Sequence, residues 1–182
     1  MVTAVLAAHA LAMTAQGVAT VAARDIAAQV PDPELPMVTL ADLGILRNVT
    51  VHGAAVTVTI TPTYSGCPAM REMSHDLRHR LEQAGYLDVT VRTELSPPWS
   101  SDWITSEGRR KLAAAGIAPP HPAGVREAGP VPLTLTTRRR LVACPRCGSR
   151  QTGETSAFSG TACKALYRCA NCQEPFEYVK EI

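Results

Sequence analysis

Apolar and polar residues alternate from Ile45 to Val51 and again from Val56 to Thr61, in runs rich in Val, Ile and Thr, with His52, Gly53 and Ala54 between them. A period of two places successive side chains on opposite faces, so the pattern predicts a β-hairpin. After Cys67 the period changes: Met70, Met73, Leu77, Leu81 and Ala84 recur three and four apart, while Arg71, Glu72, Asp76, Arg78 and Arg80 fall on the other side. That is the spacing of an amphipathic helix. Gly85 ends it, and Leu87, Val89, Val91, Thr93 and Leu95 alternate again as a third strand, making a strand-helix-strand crossover.

Around this centre the signals are plainer in composition than in period. Residues 1–29 read as one or two alanine-rich helices closing at Pro31, since the residue before a proline is pushed out of helical geometry. Ser101 or Asp102 is placed to cap a further short helix through Leu112 to Ala115, stopped by Gly116. Between Ala118 and Pro132 stand five prolines (Pro119, Pro120, Pro122, Pro130 and Pro132) and two glycines, the texture of a linker. The predicted fold class is α/β, a small three-stranded mixed sheet with packed helices, followed by a C-terminal four-Cys zinc β-ribbon. The expected division is 1–117 for the α/β domain with its N-terminal helices, 118–137 for the Pro/Gly-rich linker and 138–182 for the ribbon.

With 182 residues, 46% of them hydrophobic, the chain has enough apolar material for a core. A net charge of +2 from 18 basic and 16 acidic residues is too small to argue for nucleic acid or an acidic membrane as partner, and Arg138, Arg139 and Arg140 form a local basic run of three residues only. No Lys or Arg precedes Arg24, and His9 and Gln16 interrupt the apolar stretches. A secretory leader needs a basic start, and a spanning helix needs about 20 consecutive apolar residues, so a cytoplasmic location is expected. Thiols stay reduced there, and paired cysteines at short spacing are read as metal ligands before disulfides.

The tail "CPRCGSRQTGETSAFSGTACKALYRCANCQEPFEYV" carries such pairs. Cys144 and Cys147 form one CxxC and Cys169 and Cys172 another, with 21 residues between. Two intervening residues let a tight turn aim both sulfurs at one ion, and Gly148 supplies the backbone freedom the turn needs. Four thiolates close a tetrahedral site around zinc and leave no open position, which makes the site structural. Iron in a rubredoxin-like site or a cluster uses the same donors, and zinc is preferred over it. Cys163 is surplus, either a partly buried thiol on the second ribbon strand or a fifth, exchangeable ligand.

"DPELPMVTLADLGIL" from Asp32 to Leu46, the hairpin, and then "TPTYSGCPAM" resemble the small α/β domain of iron-sulfur assembly factors of the SufT-like and cytosolic targeting-factor kind. Together with "CKALYRCANCQEPF" they resemble the accessory-subunit family of the bacterial phenylacetyl-CoA ring epoxidase system, PaaD or PaaJ, over about residues 18 to 180. The resemblance implies a non-catalytic role in maturing that multicomponent oxygenase, through iron or iron-sulfur delivery, with an iron- or iron-sulfur-containing subunit as partner. It carries over Asp32, Glu34, Asp42, Thr63 and Cys67 as motif positions, with Cys67 able to hold iron or a transient cluster. The chain departs from the family's Phe-Gly-Ser-Thr at Phe158-Ser159-Gly160-Thr161, which touches a local turn and not the ligands.

Each position also has a plainer reading. Asp32 and Glu34 flank Pro33 in what reads equally as a turn, Asp42 can bond nearby backbone, and Thr63 can be a turn hydroxyl. His75 and His79 lie one helical turn apart, a ligating spacing, yet among charged residues they read as solvated surface. Trp99 and Trp103 read as cover over the core. Gly66 lets the chain turn and Pro68 suits the first helical position, which puts Cys67 at the N-cap. An exposed helix terminus contributes about 0.3 to 1 kcal/mol, enough to move a thiol from about 8.5 to near 8. That activation fits transient acceptance of a metal better than rapid nucleophilic attack, and no His with a partner carboxylate is placed to serve Cys67. Three function classes remain: an assembly accessory, a redox component with iron in the ribbon, and a scaffold module. The first is preferred because it uses both the thiol loop and the ribbon, and a homodimer is compatible with it.

Overall fold

A computed structural model describes residues 17–122 and 141–181. The residues expected to begin the N-terminal helices, 1–16, and most of the expected linker, 123–137, lie outside the described residues. Among those described, the chain divides into two units: residues up to 99 with 103–108, and residues 100–102 with 109–122 and the C-terminal segment.

The first unit opens on helix α1, described from residue 17 to 28. Its small Ala23 and Ala27 are fully buried, and the chain leaves the helix at Val30, also buried. The hairpin follows as β1 (Leu46–His52) and β2 (Ala55–Ile60), paired antiparallel from Leu46↔Ile60 to His52↔Ala55, with one irregularity between Leu46 and Asn48. Helix α2 (Met70–Gln83) then returns the chain to β3 (Asp88–Thr93), which pairs parallel with β2 from Ala55↔Asp88 to Ile60↔Thr93. The sheet is therefore mixed, in the order β1-β2-β3. Alternation counted Leu87 and Leu95 into the third strand, but both are exposed and lie outside it.

Burial follows the two periods. Val49, Val51, Val56, Val58 and Ile60 from the strands and Met73, Leu77 and Leu81 from α2 are buried. Trp99 is buried and its indole N–H donates to the Leu43 carbonyl at 2.9 Å, while the Arg47 guanidinium lies 3.5 Å from the Trp103 ring centroid. Trp99 thus lies in the core of this unit with its indole N–H partnered, while Trp103 is half-buried beneath Arg47. After a 3-10 turn at Ser101–Trp103, helix α3 runs over Ser106–Ala114. Its start corrects the expectation for Ser101 and Asp102: Thr105 Oγ1 accepts the Gly108 N–H at 2.9 Å and takes the capping role. Gly116, at φ +80°, ends the turn after α3.

In the second unit β4 (Thr152–Ser156), β5 (Lys164–Cys169) and β6 (Pro175–Val179) form an antiparallel sheet in that order. Ala118 adds an isolated parallel bridge to Tyr178 and is buried with Val142, Ala165, Tyr167, Phe176 and Tyr178. Tyr167 stacks on Phe176 at 5.9 Å and meets Tyr178 edge-on at 5.4 Å, so three rings supply much of a small core. Lys164, itself buried, donates to Glu177 at 2.9 Å. Burial raises the Glu177 carboxyl, but the Ser159 hydroxyl and the Lys164 ammonium together hold it below its ordinary range.

Two glycines in the first unit mark where backbones touch. A Cβ on Gly44 would lie 2.5 Å from Trp103 Cβ, and one on Gly108 would lie 2.6 Å from the Asp42 carbonyl oxygen. Alanine in a helix normally gains about 1 kcal/mol over glycine. Gly108→Ala is expected to reverse that sign and destabilise the first unit by about 1–3 kcal/mol, because the obstacle is backbone and cannot swing away. Urea unfolding monitored by tryptophan fluorescence checks it.

Candidate metal centre and thiol loop

Two tight turns bring the four paired cysteines together. In the first, the Gly148 N–H donates to the Cys144 carbonyl and the Cys144 N–H to the Ser149 carbonyl, both at 2.9 Å, with Gly148 at φ +70°. The second turn repeats the form. The Cys169 N–H donates to the Glu174 carbonyl at 3.0 Å, the Cys172 N–H points at Cys169 Sγ at 3.5 Å, and Gln173 takes the left-handed position at φ +64°. A non-glycine residue there carries strain on the order of 1 kcal/mol. The Gln173 amide bonds the Ala170 carbonyl at 2.6 Å and ties the turn down.

The ligand sulfurs of Cys144, Cys147, Cys169 and Cys172 all lie within 4.8 Å of one another, with Cys144 to Cys172 at 3.7 Å and Cys147 to Cys169 at 3.6 Å. A disulfide would bring two sulfurs to about 2 Å. Four sulfurs at tetrahedral corners about 2.3 Å from one ion stand about 3.8 Å apart, so the cradle has the size of a thiolate-bound zinc or iron. Electrostatics agree with a cation. The Ser149 backbone and the Asn171 amide, the latter 3.8 Å from the sulfur, favour the Cys147 thiolate and lower that thiol to about 6. Cys172 has a lowering backbone hydrogen bond to Glu174, but burial and the three adjacent thiols push it up to about 12. Four adjacent negative charges repel one another, and a divalent ion in the middle removes the conflict by replacing protons. Cys163 stands apart from this set, with its sulfur 3.2 Å from Thr161 Oγ1.

Cys67 lies elsewhere, in the segment between β2 and α2. The N-cap of α2 is Ala69, with no side-chain cap bond, and Cys67 precedes it by two residues. The Cys67 N–H reaches back to the Tyr64 carbonyl at 3.2 Å and the Met70 N–H to the Cys67 carbonyl at 3.4 Å, so one turn leads into Cys67 and a second stands between it and the first α-type bond, Met73 N–H to the Ala69 carbonyl. The expected N-cap placement is corrected accordingly. The thiol is half-buried, as is Thr63.

Both motif aspartates are buried and engaged locally. Asp32 Oδ1 accepts the Glu34 and Leu35 N–H groups at 2.9 and 2.8 Å. Asp42 Oδ2 accepts the Thr39 N–H at 3.0 Å while Thr39 Oγ1 accepts the Asp42 N–H at 3.1 Å, a reciprocal cap that fixes the 39–42 turn. Glu34 is exposed. Sequence reasoning missed Asn171 and Gln173. The repeat of residue classes across the two CxxC turns, with position 173 matching Gly148, is the signal that would have found the second.

Residues 128–180 match the family model described as PaaD zinc beta ribbon domain, and residues 20–92 match the one described as iron-sulfur cluster assembly protein. A protein of Escherichia coli (strain K12), named as the D component of 1,2-phenylacetyl-CoA epoxidase, is 44% identical over 152 residues, 84% of this chain and 87% of that protein. The "Fe-S protein maturation auxiliary factor" of Porphyromonas gingivalis is 36% identical over 83 residues, 44% of this chain and 78% of its own length. A crystal structure of a domain of unknown function, DUF59, from Bacillus anthracis aligns with a TM-score of 0.52 at 24% identity, covering 55% of this chain and 96% of that one. That likeness bears on the fold alone.

Replacing Cys147 with serine removes one corner of the tetrahedron and a thiol lowered to about 6. The ribbon is expected to lose its metal and its protection from proteolysis, while urea unfolding of the first unit keeps its midpoint. Metal content by elemental analysis together with far-UV circular dichroism checks both halves of the expectation.

Proposed function

Because this chain belongs to the PaaD family of phenylacetyl-CoA epoxidase components, we propose that it is a non-catalytic accessory protein that supports maturation of the phenylacetyl-CoA ring 1,2-epoxidase system in aerobic phenylacetate degradation. The observation that carries this reading is the 44% identity across 84% of the chain, which spans both units. The match of residues 20–92 to an iron-sulfur cluster assembly model supports the choice of iron or an iron-sulfur cluster as cargo. The partner on this reading is an iron- or iron-sulfur-containing subunit of the epoxidase.

The two thiol sites divide the work. The ribbon holds zinc in a closed four-thiolate site that supplies folding free energy to a segment too small for an adequate core of its own. Cys67 has no such closed set among the described cysteines. Half-buried in the segment after β2, it takes the cargo and passes it on. Asp32 and Asp42 act on this reading as positioning residues, holding the 32–35 and 39–42 turns through backbone N–H groups. Glu34 and Thr63 remain motif positions whose side chains face the cargo or the partner. We assign residues 1–117, 118–137 and 138–182 to the assembly domain, the linker and the ribbon. The first residues of that linker are held in place: Ala118 pairs with Tyr178 and the Pro120 carbonyl accepts from the Arg109 guanidinium.

Three outcomes test the reading. Cys67→Ala is expected to fold and keep its zinc but to abolish epoxidase activity in cells that carry it as the sole copy; a normal rate of phenylacetyl-CoA oxidation there removes Cys67 from the mechanism. Protein purified without oxygen is expected to hold about one zinc per chain and to be colourless. Stoichiometric iron with thiolate-to-iron absorption would instead make the ribbon a redox centre. Limited proteolysis is expected to cut between His121 and Pro132, and resistance there would mean that the expected linker is covered.

A further inference from the structure

Helix α2 turns toward solvent a strip of side chains that neither thiol site uses. With about 3.6 residues per turn, Glu72, His75, Asp76, His79 and Gln83 project within one narrow sector, away from the buried Met73, Leu77 and Leu81. The ligand atoms of Glu72, His75 and Asp76 lie within 4.8 Å of one another. One turn along, the His79 ring stacks on His75 with centroids 6.0 Å apart and planes 10° from parallel. His75 Nδ1 stands 3.4 Å from Asp76 Oδ1, and His79 Nε2 pairs with the Gln83 amide at 3.0 Å.

Two features meet at His75 on this face: a three-donor convergence of Glu72, His75 and Asp76, and a pair of imidazoles at i, i+4. The second is the spacing by which two histidines of a single helix bind zinc in metallopeptidases. Here it is exposed, with the His75 side chain at 69% of full accessibility. The surface therefore fits a binding site better than an enclosed reaction centre. Imidazole nitrogen with carboxylate oxygen suits zinc, cobalt, nickel or ferrous ions, in contrast to the all-sulfur ribbon. Solvent completes the coordination and lets the ion exchange.

We propose that Glu72, His75, Asp76 and His79 form a second metal site on the solvent face of α2, one that takes a single divalent first-row transition ion in exchange with solvent. The site stands whether or not the chain serves epoxidase maturation, since it rests on α2 alone.

Nickel titrated into the zinc-loaded, full-length Cys67→Ala protein tests it, because that background removes the lone loop thiol as a competing ligand. One equivalent is expected to bind without release of zinc to a chromophoric chelator, and to raise the unfolding temperature of the first unit. His75→Asn and His79→Asn, both at exposed positions, are each expected to weaken binding about tenfold or more. His52→Asn is expected to leave it unchanged. Absence of saturable binding, displacement of zinc from the ribbon, or full retention of binding in the His75→Asn/His79→Asn double variant would each overturn the proposal.

Discussion

Parallel pairing of β2 with β3 is the constraint on which the α/β unit depends. Two parallel neighbours cannot be joined by a tight turn, so the chain must cross over the sheet, and α2 is that crossing. The crossing buries Met73, Leu77 and Leu81 beneath the helix and leaves its other face to solvent. It also requires a connection from the end of β2 to the start of α2, and that connection contains Thr63 and Cys67. The backbone there runs through two successive turns before the first α-type bond forms. A thiol placed on such a connection is carried by rigid elements on both sides while its own surroundings stay irregular, an arrangement common for functional residues.

The ribbon answers a different constraint. Its buried cluster is a handful of side chains, three of them aromatic rings, around Cys144 and Cys169. A segment this small does not build an adequate core from three short strands without further help. The two CxxC turns supply it by converging on a space of the dimensions an ion needs, at the cost of one left-handed non-glycine residue, Gln173. Electrostatics set the thiols apart: the Ser149 backbone and the Asn171 amide lower Cys147, while burial and the adjacent thiols raise Cys172. Folding of the ribbon and occupation by a cation are thus linked by charge as well as by geometry.

Much of this was legible in the chain. Strong periodicity located β1, β2 and α2 to within a residue or two, since period two and period 3.6 cannot be confused over such lengths. The double CxxC picked out the four thiols that converge, because the turn geometry is local and repeats. Weaker patterns misled at their edges. Leu87 and Leu95 continued the alternation of β3 beyond the point where β2 offers a partner. Ser101 and Asp102 are good caps by residue type, yet Thr105 caps α3, because a 3-10 turn at Ser101–Trp103 intervenes.

What the sequence determined by itself is what local chemistry dictates: residue period, turn chemistry, and ligands two residues apart in paired turns. Tertiary structure decided the rest. Gly44 and Gly108 gave no sign in the sequence of the close backbone approaches they permit, because those partners, Trp103 and Asp42, are far away along the chain. Cys67 stands two residues ahead of the α2 cap, and a helix start one turn earlier would exchange about one hydrogen bond for another. Such differences amount to about 1 kcal/mol. Residue propensities do not resolve energies that small, and packing of the whole unit does.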